Sequence, residues 1–136
     1  MANIKQTILI RKDLNFPIGL LASQCAHLHF ENIRQKICEN NLLDGKLSLE
    51  FDYDTREWIN NPYIYIHGVP NLEVLQYFAA TAKSVGNIPV TWWRDTVYID
   101  ISETQRKAFP KIEIGITLGP CDSDKIKAVI GDLPLL

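Results

Sequence analysis

Thr7 to Leu28 reads TILIRKDLNFPIGLLASQCAHL, a β-branched run followed at once by an apolar stretch of helical spacing. Thr7 to Ile10 predicts a short strand covered on both faces, closed by the charged Arg11, Lys12 and Asp13. Ile18, Leu21, Ala22, Cys25 and Leu28 recur at three- and four-residue intervals, so a helix is predicted from about Pro17 to Asn40 with that set buried. Asp13 or Asn15 is placed to cap it, and Pro17 is tolerated in a first turn. Gly19 costs roughly 1 kcal/mol relative to alanine as a helix former, which predicts a close neighbour at that position. Phe30, Ile33 and Ile37 are expected to continue the buried stripe, with Glu31, Arg34, Gln35 and Lys36 facing water.

Beyond this helix Asn40-Asn41 is a plausible stop and Asp44-Gly45 suggests a turn. Lys46 to Tyr53 then alternates as KLSLEFDY, which fits an edge strand and a bridging loop about equally. Asp52, Asp54 and Glu57 lack the spacing of a calcium loop. Tyr63 to Val69, YIYIHGV, predicts a second strand. Asn71 caps a second helix that buries Leu72, Leu75, Phe78, Ala79 and Ala82 and closes near Gly86. Ile88 to Trp93 is the third strand, so Tyr63 to Trp93 reads as a βαβ unit with a right-handed crossover. Val97 to Ile101 extends that strand or pairs beside it, and Ser102 to Pro110 reads as a polar connection carrying Arg106 and Lys107. Lys111 to Leu118 is the last strand, ended by Gly119-Pro120. Asp122 or Ser123 caps a final helix that buries Ile126, Val129 and Ile130. The sum is one α/β domain over residues 1–136, a mixed sheet of about four principal strands with helices on both faces.

Composition narrows the function classes. At 136 residues, with 46% hydrophobic and 22% charged side chains, the chain can bury a core without metal or disulfide support. Fourteen basic against sixteen acidic residues give a formal net charge of −2, which argues against a broadly basic nucleic-acid surface. Cys25, Cys38 and Cys121 are odd in number and fit no ligand spacing, so reduced thiols are expected, with no metal and no cofactor. No segment is continuously apolar for about 18 residues and Met1 to Gln6 is polar. A cytoplasmic protein without a membrane partner is the expectation.

His27, one turn beyond Ser23 and beside Gln24, is the first candidate for chemistry. A lone histidine is more often a structural residue, and periodicity by itself favours that reading. Asp95, after Trp92-Trp93-Arg94 at a strand end, is the second candidate, its plain alternative being a turn residue or a surface partner of Arg94. Trp92, Trp93 and Tyr98 could stack a base, or fill a core or an oligomer contact. Strand alternation puts the two tryptophans on opposite faces, so at most one lines a given cleft. His29 and His67 are expected to be structural or on the surface.

The order Asp13-Leu14, Gly19, Ala22, Gln24, His27, with Arg94-Asp95 after a strand, Gly119-Pro120 after the last one and a short helix before Leu135-Leu136, resembles the class II (archaeal and eukaryotic type) peptidyl-tRNA hydrolases. The resemblance covers nearly the whole chain, with no counterpart for Leu43 to Asn60. It implies an enzyme that cleaves the ester between a peptide and the 3′ ribose of tRNA with water and no metal, and a homodimer. It also implies site roles: His27 positions or deprotonates the water, Asp95 orients the site, and Gln24 donates to the oxyanion. Where the family has a lysine after the motif glycine this chain has Leu20. Where the family has a glycine-containing turn and a threonine after Arg-Asp, it has Thr96-Val97-Tyr98-Ile99. These departures leave an alternative of another class, a catalytically degenerate binding or regulatory module of the same fold that takes a small ligand or another protein.

Overall fold

The computed structural model describes residues 3–39, 48–100 and 102–136. Thr7 to Ile10 lies in β1 (Ile4–Arg11), whose side chains alternate between two cores. Ile8 and Ile10 face α1 (Ile18–Glu39), while Leu9 faces α3 (Leu72–Gly86) and α4 (Ser123–Ile130). The sheet is completed by β2 (Ile64–Val69), β3 (Val90–Asp100) and β4 (Arg106–Asp122) in the order β2-β1-β4-β3. β2 is parallel to β1, and β4 is antiparallel to both β1 and β3, so the sheet is mixed and has helices on both faces. This is the α/β domain expected.

The βαβ unit from β2 through α3 to β3 is present, but its strands are not neighbours. β2 and β3 run the same way, but β1 and β4 lie between them, so the connection through α3 crosses the sheet from one edge to the other. The neighbouring parallel strands are β1 and β2, joined through α1 and a second helix at Tyr53–Asn60. Asn71 caps α3 as expected, its side chain accepting from Val74 N at 3.0 Å. Asp122 caps α4, where Ile126, Val129 and Ile130 are buried.

In α1 the buried stripe differs from the apolar one. Leu21, Cys25 and Leu28 pack on the sheet, but Ile18 is 87% exposed and Ala22 also faces out. Ala22 is six residues before Leu28, about 120° round the helix, so the two cannot share one contact line. The stripe runs instead through Gln24 and Glu31, which leaves Phe30 exposed. Glu31, 4% exposed, is held by Arg34 through Nε at 2.7 Å and a second guanidinium nitrogen, and by Gln35 Nε2 at 3.2 Å. The Arg34 hydrogen bonds keep its carboxyl below the usual carboxylate range. Gly19 has no close neighbour: a Cβ there would meet open space. The close approach is at Gly115 on β4, where a Cβ would press on Leu9 O and lie 2.9 Å from Leu28 Cδ1. Asp13 does not cap α1. Its carboxylate takes Nε and Nη2 of Arg11 at 3.0 and 2.8 Å, while Asn15 is left-handed (φ 51) and donates to Asp13 O.

Residues 48–52 form no strand, and Tyr53–Asn60 is a helix, α2, that the alternation of the preceding residues concealed. The turn at Asp44-Gly45 and the helix stop at Asn40-Asn41 lie outside the described residues. Asp52 caps α2 by accepting from Thr55 N at 2.9 Å, and Trp58 is its one buried residue. The β3–β4 hairpin is longer than expected. Val97 continues β3, and the polar stretch from Arg106 belongs to β4. Pro110 is accommodated where Asp95 to Val97 advances two residues opposite three of β4, a bulge that includes Lys111 at φ 53. β4 also continues through Gly119-Pro120, a cis bond beside a second irregularity, and stops only at Asp122.

His29 and His67 have structural partners. His67 Nδ1 donates to Leu133 O at 2.9 Å and Pro134 O at 3.1 Å, tying the C-terminal residues to β2. Gln6 Nε2 donates to His29 O at 3.0 Å, so its Oε1, 2.8 Å from His29 Nδ1, must accept and Nδ1 must carry the proton. Burial holds the His29 ring below its ordinary pKa of 6.5. Below pH 6.5 an unfolded His29 takes up a proton that the folded one refuses, so stability falls with pH down to the lowered folded value. Urea unfolding at pH 7.5 and 5.5 is expected to show this loss, and His29→Gln is expected to flatten that part of the profile.

Candidate active site

α1 leaves the sheet at the end of β1, and its buried stripe carries Gln24 against β3 at the level of Trp93 and Asp95. Trp93, Asp95 and Val97 are two apart on β3, so alternation turns all three toward α1. Gln24, 3% exposed, joins the two elements. Its Oε1 accepts from Trp93 Nε1 at 2.7 Å and its Nε2 donates to Asp95 Oδ2 at 3.0 Å. This orientation is forced, because the indole can only donate and the carboxylate here accepts. The second carboxylate oxygen, Asp95 Oδ1, accepts from Thr96 N at 2.7 Å. Asp95 is therefore fixed through both oxygens.

His27 is exposed, and its ring lies on Trp93 with centroids 4.4 Å apart and planes 17° from parallel. One indole thus supports the imidazole on its face and holds Gln24 by its edge. An open cleft of about 530 Å³ begins beside this cluster, lined by Gln24, Asp95, Thr96 and Arg106 as its polar part and by Phe16, Leu20 and Tyr98 among its apolar residues. Gln24 and Asp95 share the cleft through a direct hydrogen bond. His27 connects to them through Trp93 and is not among the cleft's lining residues.

The family model of peptidyl-tRNA hydrolase PTH2 matches residues 4–136. The chain belongs to the PTH2 family. No curated protein matches it. The PTH2 match runs across residues 43–60, for which the sequence motifs offered no counterpart. Membership agrees with the order of motifs from Gly19 to Gly119-Pro120, and with a single α/β domain. Leu20, 43% exposed, stands in the cleft one turn before Gln24, so the position where the family resemblance implies a cation presents an isobutyl group to the cleft.

Trp93, left open in the sequence between stacking a base and filling a core, packs against the α1 core and also supports His27 and Gln24. The available signal was its spacing of two from Asp95. Trp92, on the other face, packs against the α3/α4 core and lies under the Arg94 guanidinium at 5.6 Å. Arg106, which the sequence places in a connection, lies on β4 and lines the cleft. Among the described residues no group of three or more His, Cys, Asp or Glu side chains could hold a metal ion, and no helix is long and apolar enough to cross a membrane.

Proposed function

We propose that this PTH2-family chain hydrolyses the ester between a peptide and the 3′ ribose of tRNA, with water as the nucleophile. The observation that carries the reading is the hydrogen-bonded set Trp93, Gln24 and Asp95 under an exposed His27, at the edge of a cleft, in a chain of this family. His27 takes a proton from water as its oxygen attacks the acyl carbon. The acyl–oxygen bond breaks, and the proton returns to the 3′ oxygen as the tRNA leaves. Asp95 is held by Gln24 and Thr96 N–H, which fits a group that orients the attacking water. Gln24 has one N–H beyond its bond to Asp95, and that N–H is its donor for the developing oxyanion.

A peptidyl-tRNA substrate makes the cytoplasm the expected compartment. A homodimer belongs to the same proposal, with exposed Ile18 and Phe30 among the apolar surface available for it. Light scattering distinguishes two chains from one.

The second reading, a binding module without catalysis, is favoured by one observation, the apolar Leu20 inside the cleft. The test is release of tRNA from an N-acetylated aminoacyl-tRNA by the unaltered protein and by Leu20→Lys. Slow release by the former and a rise of roughly tenfold or more in the latter are expected, because a cation near the reacting carbonyl stabilises the anion that develops there. No release by either protein, with the fold intact, supports the binding module.

A further inference from the structure

Arg106 is the one cationic side chain among the described residues that line the cleft. It reaches the cleft from β4, across the hairpin from the segment that departs from the family pattern. Tyr98 pairs with Ala108, and Arg106 lies two residues from Ala108 on the same strand, so alternation places Tyr98 and Arg106 on one face of the hairpin. Tyr98 is 61% exposed and lines the same cleft.

These features select a ligand class. The Asp95 carboxylate disfavours a permanent phosphate charge beside it, so the phosphate is accommodated at the Arg106 end, where a guanidinium can take two phosphate oxygens at once. An exposed aromatic ring on the same face offers a platform for a planar base. The cleft's volume, about 530 Å³, is within the range of roughly 300–1,000 Å³ usual for ligand sites. We infer that Arg106 binds the phosphate of the terminal nucleotide of the RNA end lying in this cleft, with its base against Tyr98. This rests on the hydrolase reading for the identity of the RNA and deepens it by naming the residue that holds the phosphate.

The test uses adenosine 5′-monophosphate and adenosine as probes of the whole protein, followed by the indole N–H signal of Trp93, which touches Gln24 at the cleft. The monophosphate is expected to bind roughly tenfold more tightly than the nucleoside. Arg106→Gln is expected to remove that advantage and Arg106→Lys to keep much of it. Lys127→Gln, on α4 at the opposite face, is expected to change nothing. With peptidyl-tRNA as substrate, Arg106→Gln is expected to raise KM about tenfold with kcat nearly unchanged, and to reduce the salt dependence of binding by about one phosphate contact. A folded Arg106→Gln protein that keeps the phosphate preference overturns the inference, as does a parent that distinguishes the two probes not at all. Loss of the preference in Arg106→Gln, in a parent that releases no tRNA, supports the phosphate site and removes the hydrolase reading alone.

Discussion

Replacing His27 by alanine is expected to lower kcat on a peptidyl-tRNA substrate by roughly 100- to 10,000-fold, the range for loss of a positioned general base. The residue is exposed and its contact is a stack on Trp93, so the folded state should lose only about 0.5–1.5 kcal/mol. A large fall in rate with a small change in stability separates a chemical role from a structural one. Added imidazole should restore part of the rate, since a small base can occupy the vacated space beside the indole. A His27→Ala protein as fast as its parent would assign the histidine to packing on Trp93.

Asp95→Ala is expected to cost roughly 100- to 1,000-fold in kcat, with a smaller change in KM. The argument is geometric. Both carboxylate oxygens are committed, one to Gln24 Nε2 and one to Thr96 N, so the group is fixed before substrate arrives. Removing it also leaves the buried Gln24 N–H without an acceptor, at a cost of about 1–3 kcal/mol in stability. Asp95→Asn is no neutral control. Its amide nitrogen would face one of the two N–H donors, Gln24 or Thr96, that now point at carboxylate oxygens. Activity is therefore to be compared at temperatures well below each variant's unfolding, and an unimpaired kcat would remove Asp95 from the mechanism.

The parts of this fold that could be read from sequence are those in which local signals agree. β1, α3 with its Asn71 cap, and α4 with Ile126, Val129 and Ile130 inward combine propensity, capping and period in the same direction. α2 escaped because eight residues with one buried side chain, Trp58, show no period, although Asp52 before Thr55 is a capping signal. The long hairpin escaped because Ser102 to Lys107 is polar and Pro110 argues against a strand interior. A bulge at Lys111 resolves that objection, and no pattern of residue types announces a bulge. Glu31 shows the limit of periodicity in α1: a carboxylate was assigned to water although its own Arg34 and Gln35, one turn on, could satisfy it when buried.

The contacts that join the candidate residues were not readable in the sequence. Gln24, His27 and Asp95 were named from motif order, but only the paired positions of α1 and β3 show that Gln24 bonds to both Trp93 and Asp95. The strand order could not be derived from the chain, since β1 and β4 meet from opposite ends of the sequence. That pairing sets β3 at the edge beside β4, where its Asp95 reaches α1.

The most direct measurement is a double-mutant cycle on single-turnover tRNA release from an N-acetylated aminoacyl-tRNA, using the parent, Gln24→Ala, Asp95→Ala and the double variant, with stability recorded for each. Residues that act as one unit lose their effect together, so each single change should slow release strongly and the double should be scarcely slower than Asp95→Ala alone. A parent that releases no tRNA, or single losses that multiply in the double variant, would contradict a hydrolytic site built on the Gln24–Asp95 bond.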